Sequence, residues 1–355
     1  MRIYSELILG KTDPGLRAPE KTYDLSRARE HAAIIEELGF DGIVATETKG
    51  DPYILMTLAA SATSRVELAT SVAIAFPRAP AVTAMAAWDL QRLSRGRFIL
   101  GLGTQVRAHL IRRFGLDDHA IGPWMRDYAG AVRAIWDCWQ NGHTLDFQSD
   151  RYKLDLMVPL FDPGPIDTPP PPIHIAAVNK YMCRVAGEVG DGLRPHPMCT
   201  PRYIKEVMLP AAADGAERAG RTIDSLQLAL KPLVATGPDA QTLARRTDDV
   251  RARVAFYAST PAYRPCFEIW GLGDVCRELS KLSRAQKWDE MSALVDDEML
   301  NTFAIVGDYK SVAGKIVDRY AGVLDQVGFS IEVNSAEDAE TLKAMVKEVQ
   351  AGRSA

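Results

Sequence analysis

The feature that most constrains the fold of this chain is an alternation of short apolar runs with longer amphipathic stretches. Each short run is typical of a buried strand, and the stretch after it repeats its apolar residues every three or four positions, as a helix does. Eight such pairs follow one another along the sequence. Because the short runs are apolar on both faces, we expect parallel strands that are covered by helices.

The number of pairs distinguishes between two α/β architectures. A doubly wound open sheet is the alternative, but eight strand–helix units favour a closed (β/α)₈ TIM barrel, which needs about 250 residues. The chain has 355 residues, and the excess falls mainly in two segments. One is a proline-rich insertion at about 142–172, after strand four, and the other is a mostly helical insertion at about 259–300, after strand seven. The sequence thus predicts a single barrel domain over residues 1–355.

Composition excludes several classes of protein. The formal net charge is -4 and both signs are mixed along the chain, so no basic surface for nucleic acid is expected. No apolar run approaches the roughly 20 residues of a membrane span, and the start of the chain lacks the pattern of a signal peptide. The five cysteines are scattered without a C-x-x-C pair, which argues against a disulfide framework or a cysteine zinc site. We expect a cytoplasmic protein with inert thiols and a small-molecule substrate.

Candidate site residues follow from the barrel itself, because its active face is formed where the strands end. The predicted strand ends place one group of residues around a single mouth: Glu47, Thr48, Ser71, Val72, Gly103, Thr104, Gln105, His109, Ala176, Ala177, Val178, Asn179, Arg194 and His196. The helix that begins after Asn179 offers free backbone N–H groups, which suit a phosphate. Asn179 is at the same time a good helix N-cap. Tyr257 and Tyr263 are further candidates, as walls of a substrate pocket.

Several segments resemble one known family. Residues 69–76 (ATSVAIAF), 95–105 (RGRFILGLGTQ) and 173–192 (IHIAAVNKYMCRVAGEVGDG) are similar, in order and spacing, to the luciferase-like monooxygenase superfamily. The stretch ELGFDGIVATET resembles its entry into strand two. FYASTPAYRP and WDEMSALVDDE, in and before the second insertion, resemble its branch of F420-dependent oxidoreductases. The resemblance covers nearly the whole chain, and it implies a bacterial-luciferase-like barrel that forms a homodimer.

The resemblance also implies a cofactor and the residues that bind it. The cofactor would be coenzyme F420, with FMN as the alternative. The residues that bind it would be Thr48, Ser71, Val72, Gly103, Thr104, Gln105, Ala176, Ala177, Val178, Asn179 and Arg194. In relatives the pair that matches Ser71-Val72 often carries a non-proline cis peptide behind the coenzyme ring. Relatives usually have two glycines at the phosphate turn, where this chain has Val178 and Asn179. Arg194 would meet a phosphate or the acidic tail of the deazaflavin.

The catalytic groups of the relatives are not matched. F420-dependent dehydrogenases place a histidine after strand two and a glutamate after strand four, and the matching positions here hold Thr48 and Val106. The remaining acid/base candidates are Glu47, His109 and His196.

Four functions are weighed on these grounds. The leading one is hydride transfer between F420 and a small organic substrate, and the next is an FMN-dependent monooxygenase served by a separate flavin reductase. A non-catalytic flavin-binding protein is a third. A metal-dependent barrel hydrolase would need ligands such as H-x-H at the end of strand one, where the sequence has Leu9-Gly10, so no metal is expected.

Overall fold

The computed structural model describes residues 1–7 and 23–352. Eight parallel strands form its central sheet: β1 (Arg2–Glu6), β2 (Gly42–Ala45), β3 (Glu67–Thr70), β4 (Phe98–Gly103), β5 (Ile173–Ala177), β6 (Gly192–Pro195), β7 (Gln227–Leu230) and β8 (Gln326–Gly328). Each strand pairs with the next along the chain, and β8 pairs with β1. The sheet is therefore closed, which confirms the predicted barrel over the open alternative.

Helices follow the strands and cover the outside of the barrel. The α-helical segments of the described residues are α1 (Ala28–Glu37), α2 (Pro52–Ala62), α3 (Pro80–Ser94), α4 (Arg107–Arg112), α5 (Ile121–Asn141), α6 (Lys180–Val189), α7 (Pro201–Tyr203), α8 (Leu209–Arg218), α9 (Ala240–Ser259), α10 (Arg264–Glu268), α11 (Gly273–Arg284), α12 (Trp288–Met291), α13 (Asp297–Phe303), α14 (Val312–Tyr320) and α15 (Ala336–Ala351). A π-helical turn, Ile204–Met208, joins α7 to α8. No helix among these is both long and apolar enough to cross a membrane.

The predicted third strand, 66–76, is interrupted. It consists of β3 and a two-residue continuation, Ala73–Ile74, and both segments pair with β4. The Ser71-Val72 peptide bond between them is cis. Thr70 maintains the contact with β4 at the interruption, because its hydroxyl donates to the Gly101 carbonyl at 2.7 Å and accepts from the Gly101 N–H at 2.9 Å.

Two other predicted strands, the first and the eighth, are shorter than expected. The first, expected over 3–10, ends at Glu6, and residues 8–10 lie outside the described part of the chain. The eighth, expected over 327–334, stops at Gly328 although Phe329 and Ile331 are buried. An apolar pattern indicates burial, and it does not show where a strand ends. Phe329 keeps one backbone contact with β1, because its N–H donates to the Tyr4 carbonyl at 3.0 Å.

The seventh predicted strand, 226–237, was wrong as a single element. It divides into β7 and Leu233–Ala235, which leaves the barrel and pairs in parallel with Ala304–Val306. Pro232 lies at the division, and a proline has no N–H to contribute to a sheet ladder. Ala304–Val306 was not predicted as a strand, since three residues are too few to show a period.

The two insertions come after β4 and after β7. Residues 142–172 contain an antiparallel pair, Phe147–Gln148 with Lys153–Leu154, and a 3₁₀ turn at Pro159–Phe161. The second insertion contains α10, α11, α12 and 3₁₀ turns at Pro261–Tyr263 and Ser292–Leu294. The five cysteines are buried and none forms a disulfide.

Candidate active site

The inside of the barrel is lined by alternate residues of each strand. Tyr4, Val44, Ala69 and Ile99 form a small apolar cluster separate from the main core, to which their neighbours Ile3, Ile43, Leu68 and Leu100 belong. The first set therefore faces the barrel axis and the second faces the helices. The same alternation places Arg2, Glu6, Glu67, Ser71, Gly103, His174, Ala176 and Arg194 on the inside.

A polar network fills the end of the barrel opposite the mouth. Arg2 binds the carboxylate of Glu67 at 2.7 and 2.8 Å, and it also donates to Gln227 at 3.0 Å. The Tyr4 hydroxyl donates to Glu67 as well. Burial and the Glu67 charge raise the pKa of Tyr4, so the phenol stays neutral. Glu67 thus accepts three hydrogen bonds from two donors, Nη1 of Arg2 and the Tyr4 hydroxyl.

Three residues from neighbouring strands lie close together at the mouth. A side chain on Gly103 would place its Cβ 2.4 Å from Val72 Cγ2 and 3.8 Å from Ala176 Cβ. Val72, Gly103 and Ala176, which are all candidate site residues from the sequence, therefore lie together. The absence of a side chain at Gly103 leaves room for Val72 to project over β4.

Glu47 holds the segment after the cis bond in place. Its carboxylate accepts from the Ile74 N–H at 2.7 Å and binds Arg78 at 2.9 Å. Arg78 reaches in turn to Asp51, the N-cap of α2, at 2.8 Å. The side chain of Glu47 is 10% exposed. The structure thus gives Glu47 an anchoring contact, and its role as an acid or base stays a prediction.

Arg194 extends from β6 across the inside of the barrel. Its Nη1 donates to Ser71 Oγ at 3.3 Å, next to the cis bond. Its Nε and Nη2 are buried and meet no hydrogen-bond acceptor in the part of the chain that the structure describes. Burial lowers the pKa of Arg194 to about 10, so the guanidinium is charged at neutral pH.

The turn after β5 begins a helix, as predicted. The Asn179 side chain accepts from the Met182 N–H at 3.0 Å and caps α6. Tyr203 fixes the turn by donating to the Val178 carbonyl at 3.1 Å. Ala176 and Ala177 precede it, so small side chains lead into a helix N-terminus, which suits an anion.

His196 lies in an aromatic setting. Its ring stacks on Tyr263 with centroids 3.9 Å apart, and Tyr257 meets it edge-on at 4.6 Å. Burial, and then the charge of Arg253, lower the pKa of His196 to about 3, so the ring is neutral at physiological pH. Nδ1 accepts from the Met198 N–H at 3.3 Å, which leaves the proton on Nε2.

A charged group at the mouth was missed by the sequence analysis. Glu6, at the end of β1, accepts from Lys231 and from the Thr46 hydroxyl. Burial alone would raise the pKa of Glu6, but Lys231 and Thr46 hold it below its ordinary value. The prediction extended strand one to Gly10, which put Glu6 in the middle of a strand. Ending that strand four residues earlier would have brought Glu6 into the mouth.

The other predicted site residues lie around this centre. Thr48 and Thr104 are half-buried, and Gln105 adopts a left-handed φ of 60° while its side chain accepts from the Val106 N–H. His109 lies on α4 and is exposed. Its part in catalysis stays a prediction. No group of three metal-binding side chains occurs within residues 1–7 and 23–352.

These features fit a flat, partly anionic coenzyme. Gly103 leaves space beside Val72, Arg194 offers two buried N–H donors without acceptors in the described residues, and α6 begins at the same rim. A ring lying on Val72 and Gly103 and a phosphate at α6 would use each of these. The chemistry of the donors therefore agrees with a flavin or deazaflavin.

Comparison with known proteins assigns the chain to a family. The model of the luciferase-like monooxygenase family matches residues 5–326. An uncharacterised protein of Mycobacterium tuberculosis is 43% identical over 309 residues, which cover 85% of this chain and 89% of that protein. A putative coenzyme F420-dependent oxidoreductase of the same organism is 28% identical over 339 residues, covering 89% and 93% of the two chains.

A solved structure shares the fold over nearly the full length. It is the coenzyme F420-dependent tetrahydromethanopterin reductase of Methanopyrus kandleri, with a TM-score of 0.74 at 18% identity, covering 99% of this chain and 98% of that one. The fold and the matches together define an oxidoreductase barrel. The chain belongs to the luciferase-like monooxygenase family.

Proposed function

We propose that the protein is a coenzyme F420-dependent oxidoreductase that transfers a hydride between the deazaflavin and a small organic substrate at the mouth of the barrel. The observation that carries this proposal is the similarity, over 89% of the chain, to a putative coenzyme F420-dependent oxidoreductase. The coenzyme supplies the hydride chemistry, and the protein supplies orientation and electrostatics.

The coenzyme would be held by two parts of the rim. Ser71, Val72 and Gly103 would support the ring, since the glycine leaves a surface without side chains beside Val72. Ala176, Ala177 and the start of α6 would hold the phosphate, because the first N–H groups of a helix have no partner within it. Asn179 already satisfies the Met182 N–H, so the N–H groups before it remain for the ligand.

The substrate would lie on the side of His196. The rings of Tyr257 and Tyr263 pack against this histidine, and all three side chains are half-buried. Because His196 is neutral, it would donate a hydrogen bond through Nε2 to a substrate oxygen and orient it, without becoming charged. Glu6 and Lys231 form an ion pair on the side of the mouth where β1 and β7 end. This pair is the charged group best placed to exchange a proton with the substrate.

A binding titration tests this proposal. Ligand-free protein is titrated with coenzyme F420 and, in parallel, with FMN, and fluorescence reports binding. We expect saturable binding of F420 and weaker binding of FMN. Preference for FMN would favour the monooxygenase instead, and binding of neither compound would contradict both functions. A substrate screen with oxidised and reduced F420 then follows.

The FMN-dependent monooxygenase remains the second candidate. The family to which the chain belongs is described by that activity, and the half-buried aromatic surroundings of His196 suit a substrate pocket from which water would be excluded. This function needs oxygen and reduced FMN from a separate flavin reductase. Oxygen consumption that depends on such a reductase would support it. Coenzyme binding without turnover on any substrate would point to a non-catalytic flavin-binding protein.

A cytoplasmic location is also proposed. The five cysteines are all buried and reduced, as is usual in a compartment that keeps thiols free. Cell fractionation with an antibody to the protein tests this location, and recovery of the protein outside the cytoplasm would contradict it.

A further inference from the structure

The described interior of the barrel carries more positive than negative charge. Below the Glu6–Lys231 pair it contains the guanidinium groups of Arg2 and Arg194 and the carboxylate of Glu67. Arg2 and the Tyr4 hydroxyl both bind that carboxylate directly. The fully buried His174 adds no charge, because burial and then Arg194 lower its pKa well below the ordinary value. One carboxylate therefore faces two guanidinium groups.

The surplus charge resides on Arg194. Glu67 and Tyr4 interact with Arg194 only at longer range, whereas Arg2 touches the same carboxylate at 2.7 Å. The Arg194 residue is 7% exposed, and its one hydrogen bond among the described residues goes to the neutral hydroxyl of Ser71. A buried charge without a counterion is unfavourable, and in a medium of low polarity it attracts an anion across several ångströms.

We propose that Arg194 makes the site prefer the reduced coenzyme. This inference rests on the proposed function, which places the ring against Ser71 and Val72. A hydride brings two electrons and one proton from the substrate, so the ring gains one negative charge until a second proton arrives from solvent. The guanidinium beneath Ser71 stabilises that charge. Arg194 is then a residue that tunes the coenzyme electrostatically, and the phosphate is left to α6.

The test compares the affinities for the two redox forms. Wild-type protein, Arg194→Met and Arg194→Lys are titrated anaerobically with oxidised and with reduced coenzyme F420, and the ratio of the two dissociation constants is measured. FMN serves as the probe in the same way if it is the preferred ligand. We expect the wild type to bind the reduced form more tightly. Arg194→Met should lower this preference about tenfold, as the loss of one buried charge interaction implies, and Arg194→Lys should restore most of it.

Controls separate charge from folding. Arg184→Met removes an arginine that pairs with Asp214 on the outside of the barrel, and it should leave the ratio unchanged. Arg194→Met should fold, since replacing an unpaired buried charge with an apolar chain of similar length is usually tolerated. Arg194→Gln is a second variant without the charge. A further measurement needs only the wild type: we expect the reduction potential of the bound coenzyme to be above that of the free coenzyme.

The outcomes are distinct. An equal loss of affinity for both redox forms in Arg194→Met, or a ratio that does not change, overturns the inference while the proposed function stands. A bound potential at or below that of the free coenzyme also overturns it. Failure of the wild type to bind F420 or FMN overturns the proposed function and this inference with it.

Discussion

Gly101 and Gly103 lie on β4 where it passes the interruption in β3. A Cβ on Gly101 would come 1.9 Å from the Thr70 carbonyl oxygen, and one on Gly103 would meet Val72. Neither glycine has the left-handed φ that often requires this residue. A glycine is needed at both positions because the two strands pack closely there. Residues without side chains thus shape the surface on which we place the coenzyme ring.

Gly103→Ala is predicted to weaken coenzyme binding. The added methyl group would lie 2.4 Å from Val72 Cγ2, so Val72 must shift toward the ring position. We expect the affinity for F420 to fall by about tenfold or more, which corresponds to about 1.4 kcal/mol, measured by the same fluorescence titration. Gly273→Ala is the matched control, because its Cβ would meet no described atom within 3.4 Å. Equal affinities for both variants would contradict our placement of the ring.

His196 is predicted to make stability depend on pH. Its folded pKa, about 3, is below the ordinary value of 6.5, so the unfolded chain binds the proton more readily. The contribution is present above pH 6.5 and is lost as the pH falls toward 3. Relative to His196→Gln, the wild type should lose about 2 kcal/mol of unfolding free energy between pH 8 and pH 5.

Denaturant unfolding of the two proteins at a series of pH values measures this difference. Subtracting the unfolding free energy of His196→Gln from that of the wild type removes the contribution of all groups that titrate alike in both proteins. A difference that stays constant between pH 8 and pH 5 would show that solvent reaches the ring of His196, and that the aromatic enclosure does not isolate it.

At the scale of elements, the interrupted third strand is the part that positions the site. Its continuation, Ala73–Ile74, has only two residues in the sheet, and further contacts from side chains hold it in place. Glu47 from the end of β2 and Arg78 from the loop before α3 supply these contacts. The two loops beside the coenzyme position are therefore coupled through one ion pair.

A double-mutant cycle over Glu47 and Arg78 tests this coupling. Glu47→Gln and Arg78→Met should each destabilise the protein by about 2 kcal/mol, since each leaves a charged partner partly buried. The double variant should lose clearly less than the sum, measured by chemical unfolding. If Glu47 is instead a catalytic base, Glu47→Gln will abolish turnover while the unfolding free energy stays near that of the wild type.

The insertions act as elements that enclose the mouth. In the first, Tyr152 accepts a hydrogen bond from Trp124 of α5 at 2.7 Å, and Trp124 stacks on Phe76 at the end of the β3 continuation. In the second, Trp270 donates to Thr200 at 3.2 Å, just after His196. The second insertion thus contacts the loop after β6 directly, and the first reaches the residues after the β3 continuation through Trp124 of α5.

At the scale of the whole molecule, an apolar surface points to self-association. Adjacent helices α2 and α3 expose Ile54, Val82, Met85 and Leu93 to 48–53%. These helices already pack on the barrel through their other faces, so the exposed side chains are not needed for the core. We propose that a second copy of the chain covers them, as a homodimer.

Val82→Asp with Met85→Lys is predicted to convert the dimer to monomer. Sedimentation velocity gives the oligomeric state of the wild type and of the double variant. Leu294→Asp is the control, because Leu294 is exposed on the second insertion, in a turn that packs on α9 and α12. A wild type that sediments as a monomer would contradict the dimer, and a double variant that stays dimeric would place the interface elsewhere.

The sequence by itself determined the barrel and its mouth. Eight apolar runs with helices between them require parallel strands that are covered by helices, because both faces of every strand must be buried. Eight units favour the closed barrel over the open sheet, and the pairing of β8 with β1 shows the closure. The strand ends predicted from the pattern place Ser71, Gly103, Ala176, Arg194 and His196 at one rim, although the first, seventh and eighth strands end earlier than predicted. Local patterns are enough here, since each strand and helix encodes its own period.

Only the tertiary structure decided how these residues are used. No local pattern shows that Glu47 is bound by Arg78, that Glu6 meets Lys231, or that Tyr263 stacks on His196, because each pair joins residues far apart in the chain. The charge of Arg194 is likewise ordinary in sequence. This charge affects the site only because the closed sheet buries Arg194, while the carboxylate of Glu67 pairs with Arg2 instead.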